Sequence, residues 1–128
     1  MKYSIVINHS ANQSDSPSTA LAFAKELIHQ KHQIYRVFLY QQAVELANEY
    51  QQLATDEEDI STQWRLFSEE HNLDVVVCIA AALRRGVVDK NEAERYTKNG
   101  NNCTEHFELA GLGQLIDAVV QSDRVISF

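Results

Sequence analysis

Basic residues are the scarce charge in this 128-residue chain: 11 Lys and Arg stand against 18 Asp and Glu, a formal net charge of -7. Such a field repels phosphate backbones at long range, which argues against a nucleic-acid-binding protein, although a local patch can escape the average. Cysteine is scarcer still, with only Cys78 and Cys103. Two thiols this far apart match no zinc pattern, and in a reducing compartment they form no lasting disulfide. Any cysteine chemistry therefore falls to a single thiol. No apolar run approaches the roughly 20 residues that span a bilayer, and the N-terminal segment lacks a signal peptide's apolar core and cleavage site. A cytoplasmic protein is expected. There is no Pro-rich linker, low-complexity tract or internal repeat, so residues 1–128 are expected to form a single domain.

The polar stretch 9–18 contains no glycine. Without glycine a backbone cannot easily wrap a phosphate, so this loop reads as a helix lead-in, capped by Ser14, Asp15 or Ser16, rather than as an FMN or nucleotide cradle. No P-loop pattern is present, and no cofactor is expected. His29 and His32 flank a helix end without a Cys or carboxylate to complete a zinc set, so no metal is expected either.

What is present is an alternation of strand and helix patterns. Residues 2–8 are short, β-branched and apolar; residues 33–40 and 73–79 repeat that character, and 124–128 close the chain with a last strand. Between them, Leu21, Ala24, Leu27 and Ile28 mark an amphipathic helix entered at Ser16 with Pro17 in its first turn. A helix over 43–50 is weaker. Ile60, Trp64 and Phe67 define another helix, with the acidic run 56–59 at its positive end. A short helical piece is expected over 89–95 and a loop around Gly100. Leu109, Leu112, Leu115, Ile116, Val119 and Val120 supply the apolar stripe of a final helix. This order predicts right-handed crossovers and a three-layer α/β sandwich around a mostly parallel sheet of about five strands.

In such sheets ligands bind beyond the carboxyl ends of the strands. Cys78 lies at one, after Val75, Val76 and Val77 and before a small-residue turn that runs into Arg84 and Arg85. Backbone N–H groups of that turn and a guanidinium can favour a thiolate over a thiol of ordinary pKa, about 8.5. The same position also suits a small buried hydrophobe. Cys103 has no cation among its sequence neighbours, which weighs against a resolving thiol. A Cys–His hydrolase would need a base, and His9 is the best placed of five histidines, though it reads more simply as a solvent-facing loop residue. Gly111 and Gly113 point to close helix packing rather than to a cofactor.

The run Cys78-Ile-Ala-Ala-Ala-Leu-Arg-Arg-Gly-Val-Val-Asp89 resembles the active-cysteine segment of the DsrE-like sulfurtransferases. Phe38 through Tyr40, Phe107-Glu-Leu-Ala-Gly-Leu-Gly113 and Asp123-Arg-Val-Ile-Ser-Phe128 extend the resemblance over nearly the whole chain. The resemblance implies a persulfide carrier with Cys78 as the catalytic cysteine, relaying sulfur between carrier proteins toward 2-thiouridine at the tRNA wobble position. It also implies a hetero-hexamer with TusB-like and TusC-like subunits, a TusA-like donor and a TusE-like acceptor. It assigns no role to Arg84 or Arg85. The first loop, His9 through Ser16, departs from the family's Pro- and Gly-containing turn. The alternative reading is a non-catalytic structural subunit of the same complex.

Overall fold

The computed structural model describes all 128 residues. Five parallel strands stand in the order β4-β3-β2-β1-β5: β1 (Lys2–Ile7), β2 (Gln33–Leu39), β3 (Val75–Cys78), β4 (Glu108–Ala110) and β5 (Arg124–Ser127). The β-branched and aromatic content of the three central strands suits a surface buried on both faces, and Ile5, Ile7, Val37, Phe38, Val75, Val76 and Val77 are all buried. Connections from β1 through β4 step in one direction; the last returns across the sheet to β5 on the far side of β1. Right-handed crossovers therefore put α1 (Ser16–His29) and α2 (Ile60–Glu70) on one face and α5 (Gly113–Gln121) on the other. The three-layer α/β sandwich is the observed architecture.

Local chemistry explains where helices begin and end. Asp59 caps α2, its carboxylate accepting from Thr62 N at 3.0 Å. Asp89 does the same for α4 (Lys90–Arg95), accepting from Glu92 N at 2.8 Å. The α1 entrance is looser: Pro17 occupies the first turn, and Ser14 Oγ accepts from Ser16 N. Trp64 Nε1 of α2 donates to the Pro17 carbonyl at 2.9 Å, tying the two helices together. Four helices close on one kind of turn. After α1, α2, α4 and the short helix α3 (Ile79–Arg84), a residue at positive φ is followed by an N–H that reaches back five residues, as in His32 N to Leu27 O and Val87 N to Ala82 O. Only α3 uses glycine there, Gly86 at φ 74°; Lys31, Asn72 and Thr97 adopt the same left-handed conformation with side chains.

The structure corrects four expectations. Residues 41–47 form a 3-10 helix, Gln41–Ala47, rather than a helix over 43–50. The segment after Cys78 is not a turn: Ile79 leaves β3 and opens α3. Leu109 belongs not to the last helix but to β4, paired with Val77. Finally, the apolar stripe of α5 faces outward, with Ile116 65% and Val120 72% exposed. Its rotation is set by polar contacts. Arg36, buried on β2, donates to Asp117 Oδ2 at 2.9 Å, to the Gln114 carbonyl at 2.8 Å and to Asp74 Oδ2 at 2.8 Å, while Tyr35 OH donates to Asp117 Oδ2 at 2.6 Å. Those bonds turn Asp117 and the fully buried Ala118 toward the sheet and leave Ile116, Val119 and Val120 to solvent.

Candidate active site at the carboxyl end of the third strand

Cys78 is the last residue of β3 and the N-cap of α3. A run of valines favours the strand; the Ala-rich segment that follows favours a helix, and the chain changes conformation at the cysteine. Its partner in β4 is Ala110. The first N–H groups of α3 have no carbonyl four residues back to bond, so they gather at the Cys78 end of the helix. Cys78 is 3% exposed, beneath a surface where Ile79 is half-buried and Ala80 is exposed. No side chain or backbone group hydrogen-bonds Cys78 Sγ within the chain; the one thiol that does find a partner is Cys103.

Neither arginine turns toward this thiol. Arg85 Nη1 donates to the Ala81 carbonyl at 3.2 Å, and Arg84 lines a groove past the far end of α3. The expected hydrogen bond from a guanidinium to Cys78 is thus not formed within the chain. No histidine bonds it either. His106 Nε2 lies 3.0 Å from the Leu73 carbonyl, His32 Nδ1 is 3.0 Å from the N-terminal amine, and His29 and His71 sit beside Glu26 and Glu70. His9 is exposed, so the structure assembles no Cys–His pair.

Cys103 is buried elsewhere, bridged to Asn48 in a short antiparallel contact, with Sγ 3.6 Å from the Thr104 carbonyl. Burial, and secondarily the carboxylates of Asp89 and Glu49, push its thiol up to about 12. Such a group is not a nucleophile near neutral pH. Its neighbour Asn102 clamps the surrounding loops: Oδ1 accepts from Val88 N at 2.8 Å, and Nδ2 donates to Asn48 Oδ1 and to the Gly86 carbonyl, each at 3.0 Å. Nothing in the sequence marked Asn102; a lone Asn in an Asn-rich loop carries no sign of its partners.

From the first loop, Ala11, Asn12, Ser14 and Asp15 line a separate cavity together with Glu57, Glu58 and Asp59. Ser10 Oγ, in the same loop, is buried without a partner. No group of three or more His, Cys, Asp or Glu is arranged to hold a metal ion. Gly111 and Gly113 lie in open surroundings, so neither serves the close packing expected of them.

A parallel α/β sheet with a cysteine where a central strand turns into a short helix defines a class of thiol-bearing α/β proteins. The chain belongs to the DsrE/DsrF-like family, whose model matches residues 1–128. It is 40% identical to the sulfurtransferase TusD homolog of Vibrio vulnificus over 128 residues, which is 100% of this chain and 98% of that protein. It is 38% identical to the sulfurtransferase TusD of Cronobacter sakazakii over the full length of both. The ychN protein from E. coli shares the fold, with a TM-score of 0.79 at 22% identity, covering 100% of this chain and 99% of that one. Sulfur transfer is the class of activity that these full-length relatives give the chain.

Proposed function

We propose that Cys78 carries sulfur as a cysteine persulfide and relays it between carrier proteins on the route to tRNA wobble 2-thiouridine. In the loading step the Cys78 thiolate attacks the terminal sulfur of a donor persulfide. The donor's S–S bond breaks, the donor leaves as a thiolate, and Cys78 holds the sulfur as Cys–S–SH. An acceptor thiolate then attacks that terminal sulfur and frees Cys78. Each exchange conserves electrons, so no external oxidant enters. The observation that carries this reading is the location of Cys78 at the carboxyl end of β3 and the start of α3, in a chain alignable end to end with proteins named sulfurtransferases. Cys103, with its thiol pushed up to about 12, is the weaker candidate.

The same reading supplies the setting: residues 1–128 act as a single unit in the cytoplasm, with TusB-like and TusC-like subunits in a hetero-hexamer, a TusA-like donor and a TusE-like acceptor. No helix of the chain is long and apolar enough to cross a membrane, as a cytoplasmic carrier requires. Because Cys78 is buried, exchange requires the residues over it, Ile79 and Ala80 at the start of α3, to move aside. Incubation with a persulfide-loaded donor should add the mass of one sulfur atom, lost in Cys78→Ser and kept in Cys103→Ser. A gain that survives in Cys78→Ser refutes the assignment.

One observation favours a second reading. A cysteine 3% exposed with no hydrogen-bond partner is also what a structural subunit would have. In that case Cys78→Ser chains would support complex assembly and full tRNA thiolation in cells. Loss of thiolation with the complex intact would eliminate it.

A further inference from the structure

The largest groove on the chain, about 950 Å³, lies beside α3 and is walled by segments that follow the carboxyl ends of β2 and β3. Its charge is opposite to the chain's. None of the 18 Asp and Glu lines it, yet Arg84 and Lys98 both do, and neither cation takes part in an ion pair or a side-chain hydrogen bond. The cavity beside the first loop is the reverse: Asp15, Glu49, Glu57, Glu58 and Asp59 line it without one Lys or Arg. Two tyrosines stand at the basic groove, Tyr50 at 69% and Tyr96 at 52% exposed, with Leu83 supplying an apolar wall. Exposed tyrosines and an unpaired arginine beside an apolar wall are residue types enriched where protein contacts gain binding energy, and Lys98 adds to the positive charge.

Hydrogen bonds pin the walls of the groove, and one residue beside it is strained. Asn102 fixes its floor through Val88, Asn48 and Gly86, and Gly100, at φ 93°, brings the backbone under the Tyr50 hydroxyl. Thr97, beside Tyr96 and Lys98, holds φ 55°, a conformation that β-branched residues rarely adopt.

We propose that this groove docks an acidic peptide segment of a sulfur-carrying partner protein, and that α3 couples the docked segment to Cys78. The coupling and the identity of the partner rest on the persulfide-relay reading; the docking of an acidic segment does not. Leu83 and Arg84 at one end of α3 touch the groove, and Cys78 caps the other. Six residues of helix rise about 9 Å. An extended chain covers about 3.3 to 3.6 Å per residue, so roughly three residues separate a carboxylate seated on Arg84 from a cysteine that meets Cys78. A partner segment with an acidic anchor and a cysteine about three positions away fits both ends.

The test uses the full chain and two synthetic peptides, Glu-Glu-Ala-Ala-Cys and Gln-Gln-Ala-Ala-Cys, each acetylated and amidated. Binding is read by calorimetry with Ser in place of the peptide cysteine, so that no reaction intrudes. The acidic peptide should bind at least tenfold more tightly than the Gln form, weaken with added salt, and lose that preference in the double variant Arg84→Glu, Lys98→Glu. Equal affinity for the two peptides, an unchanged preference in the double variant, or preferential binding of a mononucleotide offered to the same groove would each overturn the docking proposal. Reaction is read separately, with the peptide cysteine activated as its thiopyridyl disulfide. Attack by the Cys78 thiolate forms a mixed disulfide and releases thiopyridone, which absorbs light. The acidic peptide should release it at least tenfold faster than the Gln form, and moving its cysteine next to the glutamates should abolish the advantage. Binding without that acceleration would overturn the coupling through α3 and leave the docking in place. Acceleration alongside failure of Cys78 to take persulfide sulfur would retire the relay reading and not the groove.

Discussion

Cys103 offers a prediction whose size can be worked out in advance. Its thiol is held at about 12 by burial and by the carboxylates of Asp89 and Glu49. At pH 7.5 an ordinary thiol of pKa about 8.5 is roughly one-tenth thiolate, whereas a thiol at about 12 is so to only a few parts in 100,000. Alkylation by iodoacetamide, which consumes the thiolate, should therefore run about 10³-fold slower at Cys103 than at a free cysteine, before any steric shielding is added. The assay is a time course of intact mass in the Cys78→Ser chain, with the unfolded chain as the reference. Between pH 7.5 and 9.5 the Cys103 rate should keep rising about tenfold per pH unit, while the unfolded reference bends toward a plateau. A folded-state rate within tenfold of the reference would refute the desolvation argument and reopen Cys103 as a second sulfur site.

Other outcomes follow from the fold. Lys31→Gly should stabilise the chain by about 0.5 to 1 kcal/mol in urea unfolding, because Lys31 closes α1 at φ 64° and glycine removes the left-handed cost while giving back some chain entropy. Arg36→Met should destabilise by about 2 kcal/mol in the same assay, removing this donor from Asp74 and the Gln114 carbonyl and leaving Asp117 with the Tyr35 hydroxyl alone; the two carboxylates remain partly solvated, which holds the loss below that of a fully buried pair. The Tyr35 hydroxyl, and after it Arg36, hold the Asp117 carboxyl below its ordinary value. That contribution to stability is full above the unfolded carboxyl pKa, about 3.9, and disappears as pH falls through the folded value. Acid unfolding of Asp117→Asn should accordingly show a shallower dependence on pH across that range.

The central strands were legible because they are buried on both faces: the short, mostly apolar and β-branched segments 2–8, 33–40 and 73–79 suit buried strands better than any other element. β4 was not. Its three residues form a strand only because β3 lies alongside, and Leu109 stands in helical phase with Leu112 and Ile116, so local pattern alone assigns it to the following helix. α5 was found but its orientation was not, since the bonds from Arg36 and Tyr35 that turn Asp117 inward join residues about 80 positions apart. For the site, the sequence located Cys78 at the end of its strand; its depth, and the direction of Arg84 and Arg85, depend on tertiary packing that no local signal carries. The basic groove was invisible for the same reason, because Tyr50, Arg84 and Lys98 are brought together only by folding.

The sheet tapers outward, from seven residues in β2 and six in β1 to four in β5 and three in β4. Outer rungs so brief offer a neighbouring polypeptide little ladder to extend, which guards the chain against end-on fibril growth even at high concentration.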